Sequence, residues 1–249
     1  MHGERTTVNG EQSLEYLAPF KEGIDLIKES GGDAFKLCWQ CGLCSASCPW
    51  NTVRSFMTHR MICQSRYGLV DMEDEDWWLC STCNQCVSRC PRGVAITDVI
   101  RAARKIMLEF QYEKAPTSLR SAIGNLGSQG NPWGGEKSKR AAWAESLSIQ
   151  PYSSDIHDLL YAPCCVLAYD PKLGSVARAT ATVLKATGAA FGILGEKESC
   201  CGESVRKAGH ESLFESLAKS NIAAFREKGV KEIIVSSPHC YAAFKEDYA

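Results

Sequence analysis

Two stretches of this chain obey the same spacing rule. Cys38, Cys41, Cys44 and Cys48 are followed by Pro49, and Cys80, Cys83, Cys86 and Cys90 by Pro91, so both read C-x2-C-x2-C-x3-C-P. This feature constrains the fold more than any other. The 14 cysteines of the 249-residue chain fall in tight clusters separated by long gaps. A secreted disulfide scaffold would be smaller and would carry an apolar signal segment, and the polar stretch 1–10 has no such core. Clustering instead favours metal ligation, because one centre needs several thiolates within a few ångströms.

The spacing is the bacterial ferredoxin run for a [4Fe–4S] cluster. Three thiolates two residues apart wrap a loop around one face of a cubane, and the fourth leaves in another direction. In two-cluster ferredoxins that fourth cysteine ligates the other cluster. One cluster is therefore assigned to Cys38, Cys41, Cys44 and Cys90, and the other to Cys80, Cys83, Cys86 and Cys48. A pair of structural zinc sites is the alternative, but the paired CxxC spacing of zinc ribbons is not the spacing here. Between the motifs, Phe56, Met57, Met61, Ile62, Leu69 and Val70 have helical spacing, and after the second, Ile96, Val99, Ile100, Ala103, Met107 and Phe110 form an amphipathic stripe. The first domain is thus predicted as a mostly helical two-cluster ferredoxin. Cys63 reads as a buried structural thiol, the acidic run 71–76 as a solvated turn, and Trp77 and Trp78 as a cover over the second cluster.

Lys+Arg is 28 against Asp+Glu 29, and the net charge of -1 gives no general attraction to nucleic acid. No apolar run approaches the roughly 18–20 residues that span a bilayer. From 115 to 150, Gly and Pro punctuate the chain, as in a linker or connecting arm, with Trp133 and Trp143 as candidate packing points. Beyond Pro151 the pattern alternates. Strands are expected at 158–162, 189–194 and 232–236, and helices at 175–187 and 211–228. A β-α-β-α-β order implies parallel strands with right-handed crossovers. The fold class is therefore α joined to α/β. The expected division is an extension at 1–25, the ferredoxin domain at 26–114, the arm at 115–150 and a parallel β-α-β domain at 151–249. Each expected strand is followed by cysteine. In an open parallel sheet the loops at the carboxyl ends share one edge, so Cys164, Cys165, Cys200, Cys201 and Cys240 should converge there. Five thiols at one rim fit either a further iron–sulfur cluster or a redox thiol pair, and one of Cys164 and Cys165 could be only a small buried side chain.

Cys165, Cys200-Cys201-Gly202 and Ser237-Pro238-His239-Cys240 resemble the cysteine-rich CCG domain of heterodisulfide reductase and its relatives. The string CVLAYDP from Cys165, the runs CWQCGLCSASCPW and CSTCNQCVSRCPRGVAITDVI, and Gly130-Asn131-Pro132-Trp133-Gly134 are similar too. The resemblance spans about residues 30–249. It implies one CCG repeat at 151–249, where the reductase chains usually carry two. It also implies that Cys165, Cys200, Cys201 and Cys240 ligate a third cluster, noncubane or [4Fe–4S]. The family's Cys-x-x-Cys is Ser237-x-x-Cys240 here, which removes one of five thiolates, and Cys164 stands ready to substitute.

The function these features imply is that of an iron–sulfur electron-transfer or catalytic subunit. Two [4Fe–4S] clusters would pass electrons from a flavin or quinol donor to the Cys165, Cys200, Cys201 and Cys240 site, which would reduce a disulfide. His239 is the candidate proton donor to a leaving thiolate. The alternatives are a non-catalytic conduit like the iron–sulfur subunits of glycerol-3-phosphate or glycolate dehydrogenases, and a thiol-redox sensor. Expected partners are a flavoprotein, a second CCG-containing chain or a membrane cytochrome, with a disulfide or thiol substrate, no nucleic acid and no membrane span of its own. Labile clusters and reduced thiols call for a reducing, anaerobic cytoplasm, with membrane association through a partner.

Overall fold

The computed structural model describes residues 18–71, 73–110 and 114–248. The chain divides into two compact units, 1–114 and 115–249. Most of the expected extension at 1–25 lies outside the described residues.

In the first unit the apolar stripes become helices: α1 (Lys21–Ile27), α2 (Leu43–Ala46), α3 (Thr58–Tyr67), α4 (Asp76–Leu79), α5 (Gln85–Ser88) and α6 (Ile96–Phe110). Helix α6 is the spine, and α1, α3 and α4 pack on it. Ile96, Val99, Ile100, Ala103 and Met107 are buried as their spacing predicts, with Ile27, Phe35, Phe56, Met61, Ile62 and Trp77 completing the core. Each large side chain contributes roughly 1.5–3 kcal/mol by leaving water. Phe110, the last described residue of the stripe, is exposed. Helix α1 straddles the boundary expected between the extension and the ferredoxin domain. Its entry is tied to the end of α3, where the Phe20 N–H donates to the Tyr67 carbonyl at 2.8 Å. Gly68 makes that contact feasible, since its φ is +68° and a Cβ there would lie 2.0 Å from the Phe20 carbonyl oxygen.

The second unit holds a three-stranded parallel sheet of β1 (Leu159–Ala162), β2 (Phe191–Gly192) and β3 (Glu232–Val235), in the order β2-β1-β3. Its helices are α7 (Thr117–Gln129), α8 (Cys165–Tyr169), α9 (Gly174–Ala186), α10 (Glu203–Lys207), α11 (Glu211–Glu227) and α12 (Pro238–Ala242). Successive residues of the central strand serve opposite faces. Tyr161 packs with Ala177 and Ala181 of α9, while Leu160 packs with Ala224 of α11. Both faces are covered, as a parallel sheet requires. Strand β2 is shorter than its apolar run, and Ile193 instead bridges Pro151. The stretch 115–150, expected as an arm, carries α7 and a 3-10 segment (Lys137–Leu147) whose Trp143 and Ala144 enter the core beside Tyr161. Glycine and proline punctuation marks its turns, and Trp143 and Ala144 bind it to the sheet.

Candidate metal centres

The two cysteine runs fold into loops of one design. In each, the residues flanking the second cysteine are left-handed: Gln40 (φ 58°) and Gly42 (78°) around Cys41, and Thr82 (51°) and Asn84 (63°) around Cys83. This conformation is costly for a β-branched residue such as Thr82. It turns backbone N–H groups toward sulfur. The Gln40 N–H lies 3.4 Å from Cys38 Sγ, and the Val94 N–H 3.4 Å from Cys90 Sγ. The Thr82 N–H favours the Cys80 thiolate. Hydrogen bonds of this kind raise the potential of a sulfur-ligated cluster.

Each loop set encloses a cavity. One, of about 250 Å³, is lined by Cys48, Cys80, Cys83 and Cys86, with Trp50 and Phe56 among its walls. The other, about 20 Å³, is lined by Cys38, Cys41, Cys44 and Cys90, with Trp39 and Arg92 alongside. The cavities therefore collect the crossed sets, three cysteines of one motif with the last cysteine of the other. Among the described residues no three His, Cys, Asp or Glu groups are arranged to hold a single ion. Thiols spread around a cavity suit a polynuclear cluster, whose irons each take one thiolate, and an all-sulfur donor set fits [4Fe–4S]. Burial pushes the thiols of Cys44 and Cys80 up, and burial with the neighbouring Cys80, Cys44 and Cys83 pushes Cys86 up to about 12. Such thiols must lose their protons as metal binds.

The sequence pattern gave no sign of Arg104. From α6 its buried guanidinium donates to the carbonyls of Trp77, Trp78 and Cys80, bracing the second loop. Trp77 and Trp78 do not line the second cavity. Trp77 is a core residue, and the aromatic walls are Phe56 and Trp50, whose Nε1–H donates to the Leu79 carbonyl at 2.7 Å. Cys63 is half-buried on α3. The acidic turn is engaged locally, Glu75 and Asp76 with Arg54 and Glu73 with Lys114.

In the second unit all five remaining cysteines meet beyond the carboxyl ends of the strands. Their thiols form a hydrogen-bonded chain running Cys165, Cys200, Cys201, Cys240, Cys164. Cys165, Cys200, Cys201 and Cys240 are 4–7% exposed. Gly202 lets the chain turn after the cysteine pair. Its φ is +79°, and a Cβ would press 2.9 Å from the Phe214 ring. Cys165, as the hydrogen-bond donor to Cys200 and through burial, is held well above the usual thiol range. Cys200 gains from the Cys165 bond, but donation to Cys201 and burial outweigh it and push the group up to about 12. Cys164 moves the other way, because Cys240 donates to it.

Charged groups frame this cluster, and spacing gave no sign of them. Arg140, in the expected arm, is buried and ion-paired to the equally buried Glu198. Its Nη1 lies 3.5 Å from Cys165 Sγ. The Asn221 amide donates to the carbonyls of Ser199 and Cys200, and the Tyr248 hydroxyl to that of Cys201, clamping the Cys-Cys turn. His239 is mostly exposed and pairs through Nδ1 with Glu203 Oε1 at 3.0 Å.

Comparison with known proteins agrees with this division. Residues 34–94 match the family described as a 4Fe-4S dicluster domain, and residues 159–245 match the CCG cysteine-rich domain. The chain is an iron–sulfur protein that joins a 4Fe-4S dicluster domain to a CCG domain. It is similar to the EtfAB:quinone oxidoreductase of Syntrophomonas wolfei, 33% identical over 181 residues, which is 70% of this chain and 25% of that protein. It is similar also to one chain of the H(2):CoB-CoM heterodisulfide,ferredoxin reductase of Methanothermobacter marburgensis, 41% identical over 86 residues, 34% of this chain and 46% of the relative. A chain of the dihydromethanophenazine:CoB–CoM heterodisulfide reductase of Methanosarcina barkeri is 29% identical over 174 residues, 68% of this chain and 41% of the relative. The protein thus spans between a quarter and about half of these relatives. None of the described helices is long and apolar enough to cross a membrane.

Proposed function

We propose that this dicluster–CCG protein is an electron-transfer subunit of a heterodisulfide reductase-like complex, accepting electrons from a flavoprotein or quinol-oxidising partner and delivering them to the five-thiol site. The crossed sets hold the two clusters, Cys38, Cys41, Cys44 and Cys90 one and Cys80, Cys83, Cys86 and Cys48 the other. The observation that carries the reading is the convergence of five mostly buried thiols from three strand ends. Bound clusters supply one-electron steps at tunable potential. The chain's own residues place N–H groups on sulfur, exclude water from Cys200 and Cys201, and set Arg140 beside Cys165. Reduction of a disulfide takes two electrons and two protons and yields two thiols. His239, backed by Glu203, is the group at this rim that can hand over a proton. The names of the relatives support redox partners. A cytoplasmic setting, with membrane contact through a partner, belongs to the same proposal.

The test is anaerobic purification of the chain from its native source, with iron and sulfide quantitation and EPR. More than the eight irons of two cubanes, and an EPR signal altered by added disulfide, are expected. Eight irons with alkylatable Cys200 and Cys201 would instead make the second unit a thiol-redox element. A third cluster indifferent to disulfides would make the chain a conduit.

A further inference from the structure

Strands β1 and β3 are neighbours in register, with Ala162 opposite Val235. Two residues beyond that pair stand Cys164 and Ser237. Each is the residue that caps the short helix following its strand, Cys164 for α8 and Ser237 for α12. They occupy equivalent places on adjacent strands, which lie about 4.8 Å apart. The Cys240 and Ser237 side chains lie against Cys164, and both favour its thiolate. Cys164 therefore closes the thiol chain at the end opposite Cys165, and its side chain is the one of the five that remains partly open to solvent.

We propose that Cys164 is the fifth thiol ligand of the buried site, supplying from the end of β1 the sulfur that Ser237 does not supply from the end of β3. The proposal rests on the site holding a cluster. On binding iron the Cys164 thiol gives its proton to solvent, and the Ser237 hydroxyl stays beside the sulfur. Cys164 is thus a ligand and not a small filler beside Cys165. A sulfur has in effect moved one strand across without leaving the rim.

The experiment compares the wild-type chain with Cys164→Ser, Ser237→Cys and the double variant, all purified anaerobically. Iron and sulfide per chain are measured with the EPR spectrum; the two cubane signals control for the first unit, and regain in the double variant controls for folding of the second. Cys164→Ser should lose the third-site signal and iron while keeping eight irons. The double variant, with the sulfur restored on β3, should regain them. As a readout that needs no substitution, Cys164 in the loaded protein should resist iodoacetamide and become labelled once iron is chelated, as located by peptide mass spectrometry. Full third-site iron in Cys164→Ser, no regain in the double variant, or a freely alkylated Cys164 in the loaded protein would each overturn the assignment. Eight irons in the wild-type chain would remove the cluster reading itself, an outcome separate from these.

Discussion

Replacing Arg140 by methionine should destabilise the second unit more than any other single change at the site. Arg140 and Glu198 side chains are 4% and 5% exposed, so solvent does not screen their ion pair. The guanidinium also reaches Cys165. Removing it strands the Glu198 carboxylate in the interior, which costs about 3–5 kcal/mol. A domain is typically held by about 5–15 kcal/mol, so a large share of the stability goes. Its melting temperature should fall on the order of 10 °C. Removing both charges together is a different perturbation. Arg140→Met with Glu198→Leu fills the same volume with apolar atoms and should restore stability to within about 1 kcal/mol of the parent. The assay is urea unfolding of the anaerobically purified chain by circular dichroism. Pulsed alkylation of Cys201 and Cys240, against Cys44, assigns the transition to the second unit. A loss below about 1 kcal/mol in Arg140→Met, or a double variant no better than the single, would refute the reasoning.

Crossed ligation makes a paired prediction. Cys90→Ser should alter the same EPR signal as Cys38→Ser, and Cys48→Ser the same one as Cys80→Ser; pairing within each motif would reverse the grouping. Gly202→Ala forces an L side chain into the left-handed region and against Phe214, so about 1–2 kcal/mol should be lost, together with the third-site signal. The iron-free second unit should weaken as pH rises. Cys200 titrates higher in the folded state, at about 12 against an ordinary 9.0, so the folded chain holds more protons in that window. Stability is therefore full below the ordinary 9.0 and declines toward pH 12, as a pH series of urea midpoints would show; a flat series contradicts the burial of these thiols.

Much of this molecule is written in its spacing. The x2-x2-x3 runs specify both four-cysteine sets that line the cavities, and the alternation after Pro151 places three strands and two helices within a few residues. The convergence of five cysteines follows from strand order alone. What spacing does not carry depends on contacts distant in sequence. Arg140 sits in a glycine-punctuated stretch with no periodicity, and tertiary contacts, Trp143 on Tyr161 and the Glu198 ion pair among them, bring it to Cys165. Arg104 looks like one more charge on an amphipathic helix, yet it faces inward to the Cys80 loop. The cover expected of Trp77 and Trp78 fails because adjacency in sequence to Cys80 says nothing about which indole faces the cavity.

The most exposed cysteine of each ferredoxin loop is the second, Cys41 in one and Cys83 in the other. A cluster in either cavity would therefore have its most open corner at the second cysteine, the other three being half-buried or, at Cys44, buried. Oxygen or peroxide would reach that corner first, so the expected first damage is oxidative loss of one iron, leaving a three-iron remnant on the other three sulfurs. The same two corners would be the ones nearest an approaching carrier, so sensitivity to air and ease of electron exchange should rise and fall together.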